Sequence, residues 1–221
     1  MLPLETILQF FAAALFLALA PGPDNIFVLT QSALYGSRAG IVTTLGLASG
    51  LLVHSTAVAL GVAVIFQNSA LAFMALKLVG AGYLLYLAWL SWRSGSTQTG
   101  TQAQSFIGYF ALYRRGIIMN VTNPKVTLFF LAFLPQFTQP ALGNVAGQIG
   151  QLGGLFILAT VLVFGLVALL GGKLARLFNA SPRGQIIMNR IAACIFIALA
   201  VVLVFSGHVE QSLLDSTGAD R

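Results

Sequence analysis

Two long apolar runs in this chain are each broken by a proline motif that carries a charge. The first breaks at Ala20-Pro21-Gly22-Pro23-Asp24-Asn25 and then resumes; another is interrupted by Asn120-Val-Thr-Asn123-Pro124-Lys125. In hydrocarbon no water satisfies the backbone groups that a break sets free, so a break is tolerated only where it faces protein or a wet cavity. Ionisable side chains at that depth mark functional sites by default. An acid directly after one proline and a base directly after the other, in corresponding places, point to a transporter.

Composition agrees. Only 7% of the 221 residues are charged, 58% are hydrophobic, and the mean hydropathy is +0.92. Soluble domains carry about 25% charged residues. The chain therefore reads as an all-α polytopic membrane protein, a single transport domain over 1–221 with no room for a second, soluble one. A single cysteine, Cys194, lies in an apolar run, which excludes a disulfide framework and a dithiol redox pair. The net charge of +6 comes without a basic stripe interleaved with aromatics, so no nucleic-acid partner is expected. Residues 4–20, ending in Ala18-Leu-Ala20, loosely resemble a signal peptide. The start of the chain, however, carries Glu5 and no Lys or Arg, so residues 4–20 are expected to stay as half of the first span.

A spanning length of about 20 residues gives six segments: roughly 4–35, 39–66, 69–92, 115–137, 148–172 and 188–207. The first and fourth are the broken ones. An aromatic interfacial helix, Phe106-Ile-Gly-Tyr-Phe110-Ala-Leu-Tyr113, is expected before the fourth. Arg38, Arg93, Arg114, Arg115, Lys173, Arg176, Arg183 and Arg190 all fall in connections on one side, against Arg221 on the other. The positive-inside rule makes that side cytoplasmic and places both termini outside. Two halves of three spans each must lie in opposite directions, the inverted-repeat plan of secondary transporters. Repeat 1 covers about 4–92 and repeat 2 about 106–207, with a polar cytoplasmic connection at 93–105 and a polar tail at 208–221. Gly46 and Gly50 fit either close packing within one chain or a dimer face.

The chemistry is expected at the breaks. Asp24 is a counter-charge for an amino group or a site for a proton, or else Asp24 or Asn25 caps the second half-helix. Lys125 partners Asp24 or a substrate carboxylate, or its stem snorkels to the interface. Asn120 and Asn123 share one helix face and can hydrogen-bond a substrate or the opposite break. Pro21, Gly22, Pro23 and Pro124 form the broken-helix motifs; Pro124 is expected to free the Asn120 carbonyl. His54, Lys77 and Tyr83 are accessory candidates, each with a plain packing or interfacial alternative. Trp89 and Trp92 beside Arg93 read as an aromatic belt.

Several stretches carry a family resemblance: Ala20-Pro-Gly-Pro-Asp-Asn25, Gly36-Ser-Arg-Ala-Gly40, Gly46-Leu-Ala-Ser-Gly50, Leu76-Lys-Leu-Val-Gly80-Ala-Gly-Tyr83, and Asn123-Pro-Lys125 through Phe133-Leu-Pro-Gln-Phe137. They resemble the lysine exporter superfamily and, within it, the homoserine/threonine resistance efflux branch. Leu51 stands where many members carry an acid. The resemblance implies a multi-pass exporter of amino acids or close derivatives in the bacterial inner membrane, driven by the proton-motive force and homo-oligomeric. The motif positions carried over are Pro21, Gly22, Pro23, Asp24, Asn123, Pro124 and Lys125.

The expectation is thus a secondary active, proton-coupled exporter of a small amino acid of homoserine, threonine or neutral type, working by alternating access. Its partners are the substrate, protons and the bilayer, with no cofactor and no metal. A metal-cation or other small-solute exporter of the same fold is the alternative. No acid pair, His-Glu-x-x-His helix or nucleophile elbow speaks for an enzyme.

Overall fold

The computed structural model of the chain describes residues 2–68, 70–94 and 106–205. The polar connection from residue 95 to 105 and the tail at 208–221, with Arg221, lie outside the described residues. Helices α1 (Leu4–Leu19), α2 (Pro23–Tyr35), α3 (Ser37–Asn68) and α4 (Ala70–Arg93) form the first half. The second half contains α5 (Tyr109–Val121), α6 (Pro124–Leu128), α7 (Val145–Ala180) and α8 (Pro182–Phe205). After α6 the chain continues in a π-helical turn, Phe129–Phe133, and a 3₁₀ turn, Leu134–Phe137.

Among the described residues, α3, α4, α7 and α8 are long and apolar enough to cross a membrane. The pair α1 and α2 is bent by 60°, and α5 with the segment Pro124–Phe137 by 49°, giving up to six spans when each pair counts as one. The bends fall at the proline motifs because a proline ring removes an N–H and clashes with the preceding turn.

Three bounds differ from the sequence reading. The aromatic stretch before Arg114 is not a separate interfacial helix: from Tyr109 onward it is the start of α5, which runs through both arginines. Arg114 lies over the Phe110 ring and Arg115 over the Phe27 ring, so the charges fold along the helix without interrupting it. Helix α7 is 36 residues long, about 54 Å at 1.5 Å per residue, so one end must project beyond a hydrocarbon core of about 30 Å. Helix α8 starts at Pro182, with Ser181 Oγ accepting from the Gly184 N–H at 3.1 Å. Arg190 is therefore helical and sits over Trp92, while Arg93 sits over Trp89.

The helices pack reciprocally. Helix α3 lies against α7 and α4 against α8, while α1 and α2 lie on α7 as α5 lies on α3. If the first broken pair is matched with the second, α3 with α7 and α4 with α8, these contacts have counterparts, while the contact of α2 with α3 is mirrored only weakly, by the 3₁₀ turn Leu134–Phe137 against α7. The α3–α5 contact depends on missing side chains. A Cβ on Gly46 would stand 2.2 Å from the Tyr113 carbonyl oxygen, and one on Gly50 would stand 2.7 Å from the Asn120 Cβ. Both glycines are thus used inside the chain rather than on a dimer face, and they press Asn120 toward the centre of the bundle.

Candidate functional site

The two breaks share one local design. In the first, Gly22 is the residue before the helix, Pro23 opens α2, and Asp24 follows in its first turn. In the second, Asn123 precedes α6, Pro124 opens it, and Lys125 follows. Proline suits the first helical position because its missing N–H would find no partner there anyway. Asn123 is a true cap, its Oδ1 accepting from the Lys125 N–H at 3.0 Å. Neither Asp24 nor Asn25 caps α2, which has no side-chain cap. An acid at a helix N-terminus is favoured by the helix dipole, whereas a lysine there is not.

Lys125 resolves that mismatch by leaving its own helix. Its Nζ donates to the carbonyls of Leu17 at 3.3 Å and Ala20 at 3.2 Å, at the C-terminal end of α1. Pro21 cannot donate to Leu17, four residues back, so that carbonyl is free to accept. Asn25 Nδ2 takes the Ala18 carbonyl at 2.7 Å. An unsatisfied buried carbonyl costs about 1–3 kcal/mol, so these side chains are what makes the break tolerable. The second break follows the same rule. Pro124 leaves the Asn120 carbonyl free, and it accepts from the Asn123 N–H at 3.0 Å and from His54 Nε2 at 3.2 Å. Each proline therefore releases a carbonyl that a basic side chain from another helix takes up.

Asp24 ties the two halves together. Its carboxyl is 2% exposed, and its Oδ2 accepts from Asn123 Nδ2 at 2.9 Å. The Asn120 side chain faces the same carboxyl. Asp24 Oδ1, Asn25 Oδ1 and Asn120 Oδ1 are buried without a hydrogen-bond partner. Lys125 is held by carbonyls and Asp24 by Asn123, so acid and base are linked through Asn123.

Both breaks form the floor of one cavity of about 530 Å³. Pro21, Gly22, Pro23, Asn123, Pro124 and Lys125 contribute to it, Tyr83 and Tyr86 form a wall, and Ser91, Ser94, Gln185 and Asn189 lie toward the end with the basic connections. Asp24 sits just behind this floor. On the other side of the breaks the aromatic rings of Phe10, Phe129, Phe130, Phe133, Phe137 and Phe156 pack together, with Phe129 and Phe133 stacked at 4.7 Å. Phe10, Phe129, Phe130 and Phe133 are almost completely buried. The bundle is thus open from the breaks toward one end and filled with rings toward the other.

Of the accessory candidates, Tyr83 lines the cavity and His54 reaches the second break from α3, its ring 5.6 Å from that of Phe130. Lys77 does not join them: its Nζ donates to the Val204 carbonyl at 3.3 Å, near the end of α8. Tyr86, which the sequence offers beside Tyr83 as a substrate contact or a packing aromatic, also lines the cavity, whereas sequence reading missed Ser91, Ser94, Gln185 and Asn189. The signal available for them was a run of polar and aromatic residues on the last turns of α4 and first turns of α8, facing neighbours whose identity only the fold supplies. Among the described residues no three His, Cys, Asp or Glu side chains gather as a metal site would require.

Comparison with known proteins agrees with this architecture. A homoserine/homoserine lactone efflux protein of Salmonella typhimurium is 32% identical over 87% of this chain and 92% of its own length. A Vibrio cholerae membrane protein is 30% identical over 89% of this chain and 95% of its own. A leucine efflux protein of Salmonella choleraesuis is 31% identical over 69% of this chain and 70% of its own. No solved structure matches the chain. The LysE type translocator family matches residues 15–207, a stretch that takes in both proline breaks and every helix that walls the cavity. This multi-pass membrane protein belongs to the LysE type translocator family.

Proposed function

We propose that this chain is a secondary active exporter of small amino acids or their derivatives, working by alternating access and driven by proton exchange. The observation that carries the reading is the cavity itself: one opening whose floor is made by both broken helices, with a buried carboxyl directly behind it. A volume of about 530 Å³ lies in the range of small-molecule sites and suits an amino acid with its hydration. The efflux proteins among the relatives support amino acids as the cargo class.

In this reading the basic end of the bundle is cytoplasmic, the termini are outside, and the protein sits in the bacterial inner membrane. The conformation is then inward-open, with the phenylalanine cluster closing the outer path. A substrate enters past Ser91 and Asn189, its ammonium replacing the Asn123 contact at Asp24 and its carboxylate meeting Lys125. The repeats, about 4–92 and 106–207, rock about the breaks, and a proton taken up by Asp24 from outside accompanies the return. The reciprocal helix contacts support an inverted-repeat relation of this kind. Binding and transport, rather than covalent chemistry, is the role that such a site suits.

The test is uptake into everted membrane vesicles from cells with and without the protein. Homoserine, threonine, leucine and other neutral amino acids are supplied outside, and a pH gradient is imposed. The expected result is accumulation of at least one of them that collapses with the gradient. Equal uptake in both vesicle sets across the panel overturns the reading.

A further inference from the structure

The Lys125 ammonium stands in a place built for a cation. Helix α1 ends there with its dipole negative and its last carbonyls free. Leu17 and Ala20 give their oxygens to Nζ at 3.3 and 3.2 Å. Two further oxygens, Asp24 Oδ1 and Asn25 Oδ1, are buried without a partner and are not bonded to Nζ. Gly22 leaves the space between them: a Cβ there would stand 3.2 Å from Lys125 Nζ and 3.9 Å from Asn25 Oδ1. Main-chain carbonyls at the C-terminal end of a broken helix, joined by side-chain oxygens, are how secondary transporters hold a coupling sodium ion. Hard cations take such all-oxygen surroundings.

The lysine itself comes from an unfavourable position. It is in the first turn of α6, where the helix dipole repels a positive charge, and its charge is used only across the repeat boundary. An ammonium has three donors and no acceptor, and two of these donors are matched to the two carbonyls.

We infer that the Lys125 ammonium is a tethered substitute for an alkali cation, filling a monovalent-cation site made by Leu17 O and Ala20 O, with the unpartnered oxygens of Asp24 and Asn25 set around it to close on a smaller ion. The native protein therefore has no sodium requirement, and truncating Lys125 uncovers a sodium site. The inference rests on reading the two breaks as the transport site, but its test needs no substrate and no transport.

Purified Lys125→Ala and native protein are melted in detergent in NaCl and in choline chloride at equal ionic strength. By mass action, about 200 mM sodium is expected to raise the Lys125→Ala Tm by roughly 5 °C, while the native Tm moves by less than about 1 °C. Adding Asp24→Asn to Lys125→Ala is expected to abolish the response, and Lys125→Met, whose uncharged stem fills the space, is expected to show none. Should Lys125→Ala be unstable when purified without a cation, sodium or methylammonium present from solubilisation onward is expected to recover a monodisperse protein that choline does not. A Lys125→Ala protein indifferent to sodium, potassium and methylammonium, or aggregated alike in all of them, overturns the inference. Proton-driven uptake by the native protein would in that case still leave the export reading standing.

Discussion

Asn123 Nδ2 donates to Asp24 Oδ2 at 2.9 Å, joining residues that are 99 positions apart. The same side chain caps α6 through its other amide atom, so one asparagine both starts a helix and holds the acid of the opposite break. Losing both bonds in Asn123→Ala is expected to cost about 2–4 kcal/mol, a cap together with a hydrogen bond to a charged group. Asn123→Asp keeps the acceptor for the Lys125 N–H but sets a carboxylate against Asp24. It is expected to retain α6 and lose export. Thermal unfolding in detergent, paired with vesicle uptake, separates the two effects. An alanine variant as stable as the native protein would show that the bond between the breaks contributes nothing.

Asp24→Asn removes the charge and keeps the shape. The new amide can still accept from Asn123, so insertion and melting temperature are expected to stay close to native. Uptake driven by a pH gradient is expected to fall by about tenfold or more, since each tenfold corresponds to about 1.4 kcal/mol of lost stabilisation. Membrane abundance measured on the same vesicles controls for expression. Full gradient-driven uptake by this variant would remove Asp24 from the proposed mechanism.

What was legible in the sequence follows a physical division. Apolar runs and prolines are local patterns, so the spans and both breaks could be read directly, and the freed Asn120 carbonyl followed from Pro124 alone. The start of the fourth span was misread because hydropathy treats Arg114 and Arg115 as the edge of the hydrocarbon. In the fold both lie over aromatic rings beside an unbroken helix. The partners of Lys125 were not legible because they are main-chain carbonyls, and Leu17 and Ala20 carry no side-chain signal of that role. Lys77 is only an accessory candidate in the sequence, and the fold sets it apart from Lys125 because it meets the Val204 carbonyl in α8, away from the breaks. Only the packing of α4 on α8 makes that distinction.

The close approach of α3 and α5 gives a steric prediction. A methyl group at Gly46 would fall 2.2 Å from a backbone oxygen of Tyr113, which cannot rotate away. Gly46→Ala is expected to destabilise by about 1–3 kcal/mol, the usual cost of overpacking. A methyl group at Gly82, also in a helix, would meet no atom within 4 Å, so Gly82→Ala should be neutral or gain up to about 1 kcal/mol from helix propensity. Melting temperatures of the two purified variants decide the matter. Equal stability would mean that α3 and α5 lie farther apart in the membrane than this contact requires.

The direction of the cavity can be read with a thiol reagent. Ser91 lines the opening, close to the basic end of α4, while Phe10 on the far side is sealed among rings. In a Cys194→Ser background, Ser91→Cys is expected to react with a membrane-impermeant maleimide in everted vesicles and to be spared in intact cells. Phe10→Cys is expected to resist the reagent from either side in this conformation, because packed aromatic rings leave no path for a charged probe. A transported amino acid should slow labelling at position 91 by occupying the shared floor of Gly22, Asn123 and Lys125. Labelling of Ser91→Cys from intact cells alone would invert the proposed topology. Labelling unaffected by every substrate that is transported would separate this cavity from the route.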